Sequence, residues 1–344
     1  MKRERKNTGL SKSSMVENPL EIEVCPGTLS KGYNTYSQTA LKRVFTGRKV
    51  SHILPYSAPH SDEEADELFI ENRKRLSISG VQEKFSVLLE KNKLRLIKEG
   101  EQGSHILKPI PGAGKNPDQM PANEHLSMQI ARQVFGIETA ENALIFFQNG
   151  AAAYITKRFD VRDDGTKRAQ EDFASLAELT PQTYGDNYKY EGNYLFLFHL
   201  LRKYVPAYTV EAPKLFKLIL FNYLISNGDA HYKNFSLIET SFGDFRLSPA
   251  YDLLNSRIHI EDRDFALSEG LLPPKYTKGK IRDHFQLLGE KAGIPKSQID
   301  KITGLLTSKV EEVKQLILNS YLSDRFKRNY EQAFLTRLNR LTRS

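Results

Sequence analysis

The segment NGDAHYKN, residues 227–234, constrains the fold and the function of this chain more than any other feature. It carries four polar or charged side chains within six positions: Asp229, His231, Lys233 and Asn234. The apolar residues before it (about 213–226) predict a long helix, and FSLIE and DFRLS after it predict two short strands around the turn TSFGD. A cluster of polar side chains between two elements that are both predicted to be buried indicates a functional site.

Phosphoryl transfer from ATP needs residues in this arrangement. Asp229 and Asn234 have the D-x-x-x-x-N spacing that the catalytic base and an amide metal ligand have in protein kinases. The second predicted strand ends in PAYDLL, which carries Asp252, eighteen positions after Asn234. Two carboxylates about 4 Å apart would repel by roughly 4 kcal/mol at an effective dielectric of about 20, and a bound divalent cation removes this cost. Taken singly, each residue is better explained by turn or strand-end hydrogen bonds. The combination favours a magnesium site.

The part of the chain before residue 160 supplies candidates for the remaining parts of such a site. Lys108, in HILKP, lies in a predicted strand and is placed to reach the α- and β-phosphates, and Glu124 opens the following helix and is its candidate partner. The segment SISGVQEK (77–84) precedes the first strand, where a kinase has its phosphate-covering loop. It has one glycine, Gly80, and lacks the G-x-G-x-x-G pattern, and no Walker A sequence occurs in the chain. The residues TKRF (156–159) are the candidate hinge at adenine.

The order of predicted elements indicates an α+β chain with a small strand-rich half and a larger helical half. KFSVLLE and LRLIKEG predict two strands, and Gln148-Asn149-Gly150 predicts a hairpin turn. Asn123 is the predicted N-cap of a helix that ends near Gly136. We expect three regions: a flexible basic tail at 1–18, a lobe at 19–157, and a helical lobe at 158–344.

Composition restricts the class of protein. Among 344 residues there is one cysteine, Cys25, which fits a reducing cytosol and excludes an internal disulfide. There is no run of about 18 apolar residues, as a membrane span needs, and the first residues lack the apolar core of a signal peptide. We therefore expect a cytoplasmic protein. The net charge of +8 is explained by solvated faces or by a basic patch for an acidic partner such as nucleic acid or ATP, and the sequence leaves both open.

With these motifs in place, the chain resembles the HipA-type serine/threonine kinases of bacterial toxin–antitoxin systems. The matching stretches occur in the order of the family and cover roughly residues 70–260: SISGVQEK, HILKP, NEH, ITKRFD, SNGDAHYKNFSL and PAYDLL. The resemblance implies a two-lobed, protein-kinase-like fold that uses ATP with Mg²⁺ to phosphorylate a protein in the cytosol.

The resemblance also implies a role for individual residues. Asp229 becomes the catalytic proton acceptor, Asn234 and Asp252 the metal ligands, and Glu124 the partner of the ATP lysine. The residues implied to contact ATP are Ile78, Ser79, Gly80, Val81, Gln82, Glu83, Lys84, Lys108, Lys157, Arg158, Phe159, His231, Lys233, Asn234 and Asp252.

Regulation and partners follow from the same resemblance. Ser77 and Ser79 match loop serines that the family autophosphorylates as an off-switch, and a phosphate adds about −1.5 to −2 charges beside those of ATP. Only roughly 75 residues precede the phosphate loop, which places the chain near the short, HipT-like branch of HipBST-type systems. The implied partners are a small HipS-like subdomain protein, a HipB-like DNA-binding antitoxin that provides indirect contact with DNA, and an aminoacyl-tRNA synthetase as target.

Two other functions remain open on the sequence. Small-molecule phosphotransferases of the aminoglycoside and choline kinase type share the pattern G-D-x-H-x-x-N, which residues 228–234 also satisfy. A non-enzymatic kinase-like module that binds a repressor and DNA would account for the basic ends of the chain. Labelled ATP distinguishes these functions, since label on proteins, label on metabolites and no label are different outcomes.

Overall fold

The computed structural model of the chain describes residues 20–73, 83–162, 164–261, 263–276 and 279–343. The tail predicted at 1–18 lies outside these residues. Most of the predicted phosphate loop also lies outside them: Ser77, Ile78, Ser79, Gly80, Val81 and Gln82. Within the described residues no helix is long and apolar enough to cross a membrane.

A five-stranded antiparallel sheet occupies the first half of the chain, with the strand order β2-β1-β3-β5-β4. Its strands are β1 (Phe85–Glu90), β2 (Lys93–Leu96), β3 (His105–Pro109), β4 (Asn142–Phe146) and β5 (Ala152–Lys157). The strands predicted from KFSVLLE and LRLIKEG are confirmed, and Leu94 and Leu96 are both buried, as expected for alternate residues on one face. The predicted hairpin is also confirmed, since Gly150 has φ +81° and joins β4 to β5.

Three helices accompany this sheet: α1 (Gln38–Phe45), α2 (Glu63–Arg73) and α3 (Met120–Gln129). The prediction that Asn123 caps α3 is wrong, because the helix begins one turn earlier at Met120, with Pro121 in its first turn. The amide of Asn123 is instead buried and bonds the backbone of Asn255 in both directions, at 2.8 and 3.0 Å. A π-helical segment follows α3. This helical stretch ends before Gly136, which has φ +60° as a C-terminal glycine cap requires.

The second half of the chain is mostly helical and contains a small antiparallel sheet of the order β6-β7-β8. Its strands are β6 (Gln170–Asp172), β7 (Ser236–Glu239) and β8 (Phe245–Leu247). Its helices are α4 (Phe173–Leu176), α5 (Pro181–Tyr184), α6 (Tyr194–Tyr204), α7 (Tyr208–Leu224), α8 (Ile281–Lys291), α9 (Lys296–Ser308), α10 (Val310–Asn319) and α11 (Asp324–Thr342). The two strands predicted after the polar segment are β7 and β8, but the helix predicted from residue 213 begins five residues earlier, at Tyr208.

Two hydrophobic clusters stabilise these elements. The smaller one covers one face of the sheet, where Phe69 of α2 packs on Phe85 of β1 with ring centroids 4.6 Å apart. The larger cluster joins the opposite face of the sheet and α3 to the helices of the second half. Ser127 of α3 and Tyr330 of α11, for example, share a buried hydrogen bond of 2.8 Å. The site described next lies where this core brings the two halves together.

Candidate active site

Lys108 lies at the centre of the candidate site. Its position in β3 is fixed by pairing with Tyr154 of β5, and its side chain is only 6% exposed. The ammonium group donates to Glu124 Oε1 at 2.6 Å and to Asp252 Oδ1. A buried ammonium needs partners of opposite charge, and Lys108 has two carboxylates. The predicted partnership of Lys108 and Glu124 is thus observed as a direct contact, although Glu124 lies in the middle of α3 and not at its start.

The pKa values of these groups follow from burial and from one another. Burial alone would lower the pKa of Lys108, but the carboxylates of Asp252 and Glu124 raise it above its ordinary value. Burial raises the pKa of Glu124, and Lys108 only partly offsets this. For Asp252 burial acts in the same direction, but Lys108 and Lys84 hold its pKa well below its usual range. Lys108 is therefore charged and Asp252 ionised at neutral pH.

Asp252 is the residue of the second half of the chain that contacts Lys108. It follows β8 and has φ +54°, a left-handed conformation that is uncommon for a residue with a side chain. Its Oδ2 atom lies 3.9 Å from Lys84 Nζ and 3.4 Å from Asn234 Nδ2. Five predicted site residues, Lys84, Lys108, Glu124, Asn234 and Asp252, are thus brought into one cluster although they are far apart in sequence.

The polar segment 227–234 follows α7 as a tight loop. The backbone N–H of His231 donates to Asn234 Oδ1 at 3.0 Å, which fixes the orientation of this amide. Asp229 is half-buried and accepts a hydrogen bond of 2.7 Å from the hydroxyl of Tyr190. Burial raises the pKa of Asp229, while the Tyr190 hydrogen bond opposes this effect. The Asp229 carboxylate is thus partly desolvated and held by one side-chain hydrogen bond.

Tyr190 was not predicted from the sequence. It lies in a short 3₁₀ segment, Tyr188–Tyr190, between α5 and α6, and its ring also packs edge-on against His231 at 5.1 Å. The sequence NYKYEG around it has neither a motif nor a periodicity that points to the site. Only the tertiary contact with Asp229 identifies it.

A cleft opens beside Lys108. The predicted hinge residues Lys157, Arg158 and Phe159 line it together with Lys84, Lys108, Glu124 and Asp252. Further lining residues are Ile106, Ala140, Tyr154, Thr156, Asp160, Gln170 and Tyr251. The lining combines apolar and aromatic side chains with charged groups, which suits a ligand with a flat ring and an anionic tail.

Four predicted ATP contacts within the described residues are not among those that line this cleft: Glu83, His231, Lys233 and Asn234. Glu83 Oε2 lies 3.6 Å from His60 Nε2. Lys233 Nζ lies 4.0 Å from Asp172 Oδ2. The His231 ring is buried, and burial lowers its pKa to about 3, so it is neutral. Its Nδ1 atom has no hydrogen-bond partner among the described residues.

The donor set of Asn234 and Asp252 fits a magnesium ion. An ionised carboxylate and an amide oxygen are hard oxygen ligands of the kind that Mg²⁺ prefers. The two side chains are neighbours, with Asn234 Nδ2 facing Asp252 Oδ2 at 3.4 Å while Asn234 Oδ1 accepts from the His231 N–H. Across the described part of the chain, no three His, Cys, Asp or Glu side chains gather into a metal cluster. A protein that supplies few ligands is typical of magnesium sites completed by water and phosphate oxygens.

Known proteins with similar sequences are named as kinases of unproven activity. A Sinorhizobium fredii (strain NBRC 101917 / NGR234) protein, "Putative kinase Y4dM", is 34% identical over 225 residues, which are 61% of this chain and 52% of that protein. The match thus spans about half the length of this relative. A Haemophilus influenzae (strain ATCC 51907 / DSM 11121 / KW20 / Rd) protein, "Putative kinase", is 26% identical over 291 residues, 77% of this chain and 81% of that one.

The fold is shared with a solved structure from a toxin–antitoxin system. A chain in the complex of Shewanella oneidensis MR-1 HipA, HipB and operator DNA aligns with a TM-score of 0.62 at 20% identity. The alignment covers 83% of this chain and 73% of that chain, and it confirms the predicted α+β, HipA-like fold. The sequence family of the HipA-like C-terminal domain matches residues 76–314, more than half of the chain. On this match, the chain belongs to the HipA-like C-terminal domain family.

Proposed function

We propose that this protein is an ATP- and magnesium-dependent serine/threonine protein kinase. The observation that carries the proposal is the buried Lys108, held between Glu124 and Asp252 at the head of the cleft. A lysine from a strand paired with a glutamate from a helix, next to an ionised aspartate, is the arrangement with which kinases position ATP phosphates. The relatives named as kinases support the same reading.

Each side chain has a distinct task in the proposed reaction. Lys108 contacts the phosphates, and Glu124 keeps its ammonium in place. Asp229 orients the attacking hydroxyl and accepts its proton at a carboxylate oxygen. Tyr190 holds that carboxylate by donating to Oδ1. The low dielectric around these buried and half-buried groups strengthens their interactions with the phosphates.

Asn234 and Asp252 would hold Mg²⁺. When bound, the ion neutralises charge on the phosphate oxygens during transfer. Asp252 suits this task because its carboxylate stays ionised. The remaining predicted contacts, from Ile78 to Lys84 on the phosphate side and from Lys157 to Phe159 at adenine, belong to the same proposal.

We further propose that the protein is the toxin of a cytoplasmic toxin–antitoxin system. The support is its membership of the HipA-like family and the fold it shares with a HipA that was solved with HipB and operator DNA. The partners would be a HipB-like antitoxin, through which DNA is contacted indirectly, and a small HipS-like protein. The proposed target is an aminoacyl-tRNA synthetase, and phosphorylation of Ser77 or Ser79 would switch the kinase off.

Replacement of the proposed base tests the kinase assignment. We expect Asp229→Asn to lower phosphate transfer by roughly 10²–10⁴-fold, the usual contribution of a general base, while Mg·ATP still binds. Transfer is measured with labelled ATP and a cell lysate on dephosphorylated protein, so that a self-inactivated preparation is not mistaken for an inactive enzyme. Asp186→Asn, at an exposed aspartate, is the matched control.

The same assay separates the alternatives. Label on proteins supports the protein kinase, whereas label on metabolites alone indicates a small-molecule phosphotransferase. Undiminished transfer by Asp229→Asn would remove Asp229 from the mechanism.

A further inference from the structure

A second cavity, of about 160 Å³, lies between α7, β8 and the turn that follows the π-helical segment after α3. Aliphatic side chains form much of its wall, and all of them are buried: Ile137, Leu218, Leu247 and Ala250. An aliphatic cavity of about 150 Å³ holds a molecule the size of benzene. This cavity therefore has room for an apolar body of about six carbon atoms.

Three charged side chains also line this cavity, and the fold neutralises two of them. The Glu138 carboxylate accepts from both terminal guanidinium nitrogens of Arg246 at 3.0 Å. The ammonium of Lys214 donates to Glu211 Oε1 at 2.6 Å. The third charged side chain is Lys217, about one turn of α7 after Lys214.

Lys217 has no partner of opposite charge among the described residues. It is half-buried, and no group in the described part of the chain forms a hydrogen bond or an ion pair with its ammonium. Burial lowers the pKa of Lys217, and no neighbouring carboxylate offsets this effect. Lys108, in contrast, has two carboxylates at its buried ammonium. Because a desolvated charge is normally paired, an unpaired ammonium beside an aliphatic cavity indicates an anionic ligand.

We propose that this cavity is a binding site for a small aliphatic monocarboxylate. The carboxylate of the ligand pairs with the Lys217 ammonium, and its chain of about six carbons packs on the aliphatic wall. The Ser248 hydroxyl, which also lines the cavity, already donates to a backbone carbonyl at 3.2 Å. With Lys217 as the one unpaired cation of the described lining, the site suits a single negative charge better than a phosphate dianion.

The site is distinct from the proposed nucleotide cleft but lies close to it in the chain. The two cavities have no lining residue in common. The backbone N–H of Ala250 donates to the carbonyl of Glu138 at 2.8 Å, and its carbonyl accepts from the N–H of Ala140, a cleft residue, at 2.9 Å. A ligand in the cavity therefore packs against the segment that leads to Asp252. The assignment does not depend on the kinase proposal, because none of the catalytic candidates lines this cavity.

Calorimetric titration of the full chain at neutral pH with hexanoate, hexanamide and propionate tests the proposal. Hexanamide keeps the apolar chain without the charge, and propionate keeps the charge on a shorter chain. We expect the wild type to bind hexanoate about 10–100-fold more tightly than either, because hexanamide loses the charge-assisted hydrogen bond and propionate loses apolar burial. Lys217→Met should weaken hexanoate binding by a similar factor and leave hexanamide binding unchanged. Lys301→Met, at an exposed lysine of α9 outside the cavity, is the matched control.

The wild type alone decides the first part of this test. The proposal is overturned if the wild-type chain does not bind hexanoate, or if it binds hexanamide or propionate as tightly, since the charge or the chain would then contribute nothing. These comparisons hold even if Lys217→Met folds poorly. Equal binding of hexanoate by Lys217→Met and Lys301→Met would overturn the proposal too, because the carboxylate would then lie elsewhere.

Discussion

At the scale of single residues, Lys108 is unusual because its charge is buried and is shared by two carboxylates. Asp252 contacts the ammonium that the proposed reaction assigns to the ATP phosphates. Of its two carboxylate partners, Glu124 is 4% exposed and Asp252 is 26% exposed, so Asp252 is the more accessible one. We therefore expect Glu124 to keep its contact with Lys108 and Asp252 to give up its contact to the ATP phosphates.

Loss of Lys108 should destabilise the protein as well as inactivate it. Lys108→Met leaves the buried Glu124 carboxyl without its cation, and we expect the free energy of unfolding to fall by about 3–5 kcal/mol. Adding Glu124→Gln should recover part of this loss, because a neutral amide costs less to bury alone. Denaturant unfolding of the two single variants and the double variant measures the coupling. If the effects of the two substitutions on the free energy of unfolding add up, Lys108 and Glu124 do not stabilise each other.

Tyr190 offers a test of the proposed base through pH. Its hydrogen bond opposes the effect of burial on Asp229, so Tyr190→Phe should raise the pKa of that carboxyl further. Since Asp229 acts as a base only when ionised, the acidic limb of the pH–rate profile should move to higher pH. Tyr188→Phe is the matched control, because Tyr188 contacts Lys233 and not Asp229. An unchanged acidic limb in Tyr190→Phe would exclude this positioning role.

At the scale of elements, local patterns predicted the strands and the hairpin well but misplaced two helix starts. β1, β2 and the β4–β5 turn are encoded by alternation and by Gly150, signals that lie within a few residues. The start of α3 was misread because Asn123, a good cap in isolation, is used to bond Asn255, more than a hundred residues away. A single sequence does not reveal a contact of this kind.

The start of α7 was misplaced for a related reason. The apolar run predicts a helix from about residue 213, but the helix begins at Tyr208 and includes Pro213. The extra turn carries Glu211, a buried residue whose carboxylate accepts from the backbone N–H of Leu247 in β8 at 3.3 Å and from Lys214 at 2.6 Å. Tertiary bonding thus extends the helix beyond its local signal.

The hydrogen bond from the Leu247 N–H to Glu211 should stabilise the folded protein. Glu211→Ala removes the acceptor of the buried Leu247 amide, and we expect the free energy of unfolding to fall by about 1–3 kcal/mol. Glu211→Gln keeps a carbonyl acceptor in the same place and should lose less. Chemical denaturation followed by circular dichroism provides the measurement. Equal losses in the two variants would show that the charge, and not the hydrogen bond, stabilises α7 against β8.

At the scale of the whole molecule, the site depends on contacts between distant parts of the chain. The sequence indicated which residue types take part, because Asp229, Asn234 and Asp252 follow a recognisable spacing. It could not indicate that Lys84 lies near Asp252 or that Tyr190 holds Asp229, since the fold alone creates these contacts. The predicted boundary near residue 160 stays a prediction, and the larger core crosses it.

Because the cleft is lined by both halves of the chain, nucleotide binding should stabilise the whole molecule. A ligand that binds only the folded state, at a hundredfold excess over its dissociation constant, adds about 2.7 kcal/mol to the free energy of unfolding. We therefore expect Mg·ATP to raise the thermal midpoint of wild-type protein and of Asp229→Asn, which keeps the binding contacts. Asp252→Asn should lose most of this shift, while Asp186→Asn should keep it. A full shift in Asp252→Asn would mean that ATP binds without the carboxylate next to Lys108, and the proposed arrangement of the phosphates would then be wrong.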